Sequence, residues 1–168
     1  LQLSTFSVST WFKTGFDFSG EPYIVNKGGT GSESAGKNMN YGIWMTSGEK
    51  LRAGFETTSG TDVFVTSSSS YKDDKWHYAT VTFDGSALRL YVDGIPVGAL
   101  VTSLLPDNTG TQPVRIGANS LANNGYFTGN IDEVRVYNTA LTPTEVTNAY
   151  DGIFNTMGQV LYLPFNVD

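Results

Sequence analysis

"KWHYATVTFDGSALRLYVDGIPVGAL", residues 75–100, decides the fold. His77, Ala79, Val81 and Phe83 fall on one face of an extended chain, and Trp76, Tyr78, Thr80 and Thr82 fall on the other. That period of two belongs to a strand. Asp84-Gly85 and Asp93-Gly94 then punctuate the run, and Asp-Gly flanked by alternating apolar residues is a strong hairpin signal. The stretch therefore predicts three consecutive antiparallel strands at 76–83, 87–92 and 95–100.

The same grammar extends in both directions. Upstream, Phe6, Val8, Thr10 and Phe12 alternate with Ser7, Ser9 and Trp11. "YIVN" (23–26), "YGIWMT" (41–46), "LRAGFET" (51–57) and "DVFVTS" (62–67) read as further strands, with "SGEK" as a turn. The glycine-rich "KGGTGSESAGKN" (27–38) lacks periodicity and reads as a loop. Downstream, "PVRIGA" (113–118) and "GNIDEVRVYN" (129–138) add two strands. Thr142 as N-cap, Pro143 at the first helical position and Glu145 in the first turn predict one short helix ending near Tyr150. The expected fold is all-β, an antiparallel two-sheet sandwich with that single helix.

The length of 168 residues suits one domain spanning 1–168. Sixteen acids against ten bases give a net charge of -6, which repels phosphate backbones and argues against a nucleic-acid partner. The absence of cysteine excludes disulfides and thiolate metal sites. No apolar run approaches the roughly 18 residues of a membrane span, so membrane insertion is not expected. A composition rich in Ser, Thr, Asn and Gly reads as extracellular or cell-surface. The chain opens directly into strand-like sequence, which reads as a module of a larger multidomain protein.

The Trp-His, Asp-Gly and Leu-x-Leu-Tyr-Val-Asp-Gly pattern of residues 76–94 resembles the signature of laminin-G-like, concanavalin-A-like jelly rolls. "FSVSTWFKT", "YIVNKGG" and "GNIDEVRVYNTALTPTEV" are similar to further segments of that family, in the expected order. In one respect the chain departs from the pattern. "QVLYLPFN" at 159–166 resembles the family's first strand but stands at the C-terminus. It is either the displaced first strand of a circularly permuted domain or the start of a following repeat. The resemblance implies a jelly roll, and its members include sugar-binding modules, adhesion domains, calcium lectins and glucanases, so fold alone does not fix function.

Three chemistries are candidates. Catalysis is disfavoured, because the Glu-x-Asp-x-x-Glu strand of the family's glucanases has no counterpart. In a regular strand, Asp132 and Glu133 also point to opposite faces. His77, the lone histidine, reads as a packed or edge residue. For a metal, the resemblance implies a structural Ca2+ bound by Asp132 and the Pro164 carbonyl. The alternative is that Asp132 caps a loop. Regular alternation places Asp132 on the apolar face with Val134 and Val136, where its charge would need compensation. For a carbohydrate or glycoconjugate, the loop "GANSLANNGYF" (117–127) offers Asn119, Asn123, Asn124 and Tyr126, and Trp44 offers a platform on the concave sheet. Trp11 and Trp76 read as core. The expected function is a non-catalytic carbohydrate-recognition or adhesion module, against the alternatives of a ligand-free spacer and a glucanase-like hydrolase.

Overall fold

The computed structural model describes residues 1–18, 20–30, 34–122 and 124–165. Among the described residues eleven strands occur in chain order: β1 (Phe6–Lys13), β2 (Tyr23–Lys27), β3 (Tyr41–Met45), β4 (Lys50–Glu56), β5 (Asp62–Ser70), β6 (Trp76–Phe83), β7 (Ala87–Val92), β8 (Ile95–Val101), β9 (Val114–Ile116), β10 (Asn130–Tyr137) and β11 (Gln159–Leu163). A helix, α1, spans Pro143–Tyr150. The strands form a six-stranded sheet, β11-β10-β1-β6-β7-β8, and a five-stranded sheet, β5-β4-β3-β2-β9. Their pairings are antiparallel, so the molecule is the two-sheet sandwich that the alternation predicts.

The core lies between the inner faces of the sheets. Phe6, Val8 and Phe12 of β1 meet Ala79, Val81 and Phe83 of β6 and, across the sandwich, Ile43, Met45, Ala53 and Phe55. Phe6 and Phe83 both pack against Phe55, with Phe55–Phe83 centroids 4.7 Å apart.

The two Asp-Gly turns work differently. In the β7–β8 hairpin Asp93 and Gly94 both have positive φ, 53° and 76°. This mirror-image turn matches the right-handed twist of its strands. At the β6–β7 turn Asp84 Oδ1 accepts the backbone N–H groups of Ser86 and Ala87, each at 2.8 Å. The helix start follows the sequence reading: the Thr142 hydroxyl accepts the Glu145 N–H while Glu145 Oε2 accepts the Thr142 N–H, a capping box. Val146 of the helix, with Leu141 just ahead of its N-cap, packs against Tyr91 and Tyr137 and so covers part of the outer face of the six-stranded sheet.

Segment 159–163 pairs with β10 through Val134–Leu163, Arg135–Tyr162 and Val136–Leu161. The stretch resembling a first strand is thus an edge strand of the same sheet. Arg135, 4% exposed, is clamped between the Phe154 and Tyr162 rings at 3.4 and 4.1 Å, which fastens the segment after the helix onto β10.

Candidate functional site

Pairing of β2 with β9 brings the residues preceding β2 beside the loop that follows β9. That loop, 117–127, is closed at its base, where the Phe127 N–H donates to the Gly117 carbonyl at 2.9 Å. Within it the Asn119 N–H bonds the Asn124 carbonyl at 3.0 Å, and Asn119 Oδ1 accepts the Leu121 N–H at 2.9 Å. Arg115 ties it from below by donating to the Asn119 and Ala122 carbonyls. The Gly125 carbonyl accepts the Tyr23 N–H at 2.9 Å. Asparagine supplies both turn chemistry and amide groups here, so the loop is preorganised rather than merely polar.

Between this loop and the chain before β2 lies a recess of about 340 Å³, lined by Glu21, Tyr23, Thr30, Asn119, Asn124 and Gly125. The Tyr23 and Thr30 hydroxyls hydrogen bond at 2.8 Å. Glu21 is held from two sides: Trp44 Nε1 donates to its Oε2 at 2.9 Å, and Arg52 pairs with its Oε1 at 3.2 Å. The lining therefore combines a fixed carboxylate, two amides and two hydroxyls, the donor-and-acceptor mixture that suits a polyhydroxyl ligand.

The expected site residues fare unequally. Asn119 and Asn124 line the recess. Asn123 lies outside the described residues. Tyr126 is 58% exposed and is not part of the lining. Trp44 is no platform, because it is fully buried. Tyr23 stacks on it at 5.9 Å and Phe64 meets it edge-on at 4.8 Å, so its part is to orient Glu21 from behind. The reading of Trp11 and Trp76 as core is overturned as well. Both stand on the outer face of the six-stranded sheet, with Trp76 45% exposed. Glu21, Tyr23 and Thr30 were not singled out as sugar-site residues; only the β2–β9 pairing, which links positions some ninety residues apart, brings them in.

The Asp132–Glu133 pair departs from regular alternation. Phe12 pairs with Ile131 and Trp11 with Asp132, but Ser9 pairs with Arg135, so β10 carries an extra residue here. Glu133 takes φ 53°, and the strand bulges. Asp132 consequently shares the outer face with Trp11, while Val134 and Val136 stay in the core. The expectation that Asp132 lies on the apolar face is corrected by this bulge, and so is the expectation that the two acids point apart, since both line one outer recess. Asp132 does meet the Pro164-Phe165 segment. Its Oδ1 accepts the N–H of Phe165 at 3.0 Å and that of Glu133 at 2.7 Å. Glu133 pairs with Arg135 and accepts the Tyr162 hydroxyl at 2.9 Å. Among the described residues no three His, Asp or Glu side chains gather as a metal centre. His77 is held between Asp93 and Asp73, at 2.8 and 3.0 Å, beside Phe12 and Tyr71.

Residues 1–147 match the family model of the concanavalin A-like lectin/glucanases superfamily, in its laminin-G-like form. The chain belongs to that superfamily. Among curated proteins, this superfamily member is 24% identical over 174 residues to an adhesion G-protein coupled receptor V1 of Danio rerio, covering 95% of the chain but only 3% of the receptor. A candidate carbohydrate-binding protein from Bacteroides ovatus superposes with TM-score 0.71 at 15% identity, covering 96% of this chain and 45% of that one. The CBM40 of the Ruminococcus gnavus IT-sialidase, bound to α2,3-sialyllactose, superposes with TM-score 0.69 at 13% identity, covering 88% and 83%. These likenesses place the jelly-roll fold. No helix among the described residues is long and apolar enough to cross a membrane.

Proposed function

We propose that this domain is a non-catalytic carbohydrate-recognition or adhesion module of a larger secreted or cell-surface protein, and that the Asn-loop recess holds the glycan. The observation that carries the reading is the meeting of the fixed Glu21 carboxylate with Asn119 and Asn124 in one preorganised recess. The carboxylate accepts from sugar hydroxyls, and the amides both donate and accept. The carbohydrate-binding description of two structural neighbours and the adhesion receptor's partial match support the same class. The non-catalytic reading is supported by Glu21, whose carboxylate is tied to Arg52 and Trp44 rather than set opposite a second acid.

A structural calcium ion is the further expectation from the family resemblance. Asp132 and the Pro164 carbonyl would supply two donors, against about six to eight oxygens for calcium. Asp132 Oδ1 already serves two backbone N–H groups, and the other acid, Glu133, is turned to Arg135 and Tyr162. Among the described residues these donors fall short of a full calcium shell, so the glycan recess is proposed without the ion, and calcium stays an expectation of the resemblance that melts with and without chelator decide.

The test is a glycan array with the isolated domain, repeated with Asn124→Ala and Glu21→Gln. A glycan retained by the parent and lost by both variants, with unchanged melting, supports the recess. Binding that survives both substitutions moves the site elsewhere, and no binding to any glycan favours a spacer.

A further inference from the structure

The outer face of the six-stranded sheet holds a second recess, of about 370 Å³, lined by Trp11, Trp76, Asp132 and Glu133. Its volume falls within the range of small-molecule sites. It is built by the β10 bulge, which turns Asp132 out beside Trp11, and by the register that sets Trp76 next along the face of β6. One wall is rigid. The Trp11 ring packs on Tyr78 at 5.1 Å and on Tyr150 of the helix at 5.6 Å. The other indole, Trp76, is 45% exposed.

The charges are lopsided. Glu133 is neutralised by Arg135. Among the described residues no lysine or arginine pairs with Asp132. The cations nearest in the register are committed elsewhere: Lys13, opposite Trp76, pairs with Asp74 at 3.4 Å, and Lys75 pairs with Asp73 at 3.3 Å. The lining therefore offers indole faces and carboxylate oxygens that only accept. A neutral sugar would lack amide partners of the kind found in the Asn-loop recess. A cation with a greasy surface would satisfy both features at once, because an aromatic face attracts positive charge and the carboxylate supplies its counter-ion.

We propose that this recess binds an organic cation, an alkylated or quaternary ammonium group, between Trp11 and Trp76 with the Asp132 carboxylate as counter-ion. It is separate from the glycan recess and does not depend on it. The test is a titration of the domain with choline, followed through the indole N–H signals in NMR spectra. It is run beside the neutral analogue in which carbon replaces the nitrogen. Saturable shifts of the Trp11 and Trp76 signals are expected, with Trp44 unmoved. The neutral analogue should bind about fivefold or more weakly, and Trp76→Ala should weaken choline by a similar factor. Asp132→Asn keeps the shape of the side chain and should also weaken choline, with its fold checked by the retained Trp44 signal. Equal affinity for the two probes, unchanged choline binding in Trp76→Ala, or preferential occupation of this recess by glucose or calcium would overturn the proposal.

Discussion

The carboxylate of Asp132 fastens the backbone of Phe165 through a 3.0 Å hydrogen bond that joins residues 33 positions apart. The same oxygen accepts the Glu133 N–H at 2.7 Å, so one side chain stabilises both the β10 bulge and the end of β11. Asp132→Ala strands both donors. Since hydrogen bonds to a charged group are worth about 1.5–3 kcal/mol each at most in this setting, a loss of about 1–3 kcal/mol is expected. Hydrogen exchange resolves it: amides of Gln159–Leu163 should lose protection before those of β6. Melts with calcium and with excess chelator should have equal midpoints, and a calcium-dependent rise abolished by Asp132→Ala would assign a metal to this carboxylate.

The tryptophans should separate by burial. Trp44 is fully buried behind Glu21, so Trp44→Ala should cost about 3–5 kcal/mol. Trp76, 45% exposed, should cost under about 1 kcal/mol on truncation. Chemical denaturation of the two variants measures both, and a reversed order would contradict the described packing.

At the recess proposed for the glycan, Asn124 is exposed and its backbone carbonyl, not its amide, holds the loop. Asn124→Ala should therefore weaken a bound glycan by about 1–2 kcal/mol while leaving the melting temperature within a degree or so of the parent. Tyr126→Ala should have the smaller effect on affinity. Isothermal titration of the two variants ranks them.

Acid should destabilise the fold through identifiable carboxylates. The Thr142 N–H and hydroxyl hold the Glu145 carboxyl below its ordinary value of 4.5. Arg89, and then Ser86, hold Asp84 well below its ordinary 3.8. A folded-state pKa below the unfolded one gives stability that is present above the unfolded value and lost as pH falls toward the folded one. Melting temperatures should thus be flat above about pH 5 and fall below about pH 4.5. Glu145→Gln should start lower and fall less steeply, and parallel curves would remove the capping box from this account.

Most of the architecture was legible because it is written locally. The two Asp-Gly turns, the strand alternation around them and the Thr142-Pro143-Glu145 start all act within a few residues of themselves. The lining of the candidate recess was legible in half. Asn119 and Asn124 are turn residues and could be found as such, but Glu21 joins them only through the β2–β9 pairing. The tryptophans were misassigned for a physical reason. Alternation tells which residues share a face but not whether that face is covered. Trp44 is covered by Tyr23 and Phe64, whereas Trp76 is left open. The bulge at Glu133 was invisible because nothing in "NIDEVRV" forbids a regular strand.

The place of β11 has a mechanical consequence. Both β1 and β11 run antiparallel to β10 and hence point the same way, with Ser7 and Gln159 both opposite Tyr137. The chain enters β1 at one end of the sheet and leaves β11 toward the other. Tension applied ahead of Phe6 and beyond Leu163 therefore shears β1 and β11 in opposite directions along the β10 that lies between them, loading the hydrogen bonds each makes to β10 together rather than unzipping them one at a time. A domain pulled in that direction resists as a unit, and the Asp132–Phe165 bond sits at the pulled end of β11, where the load first arrives.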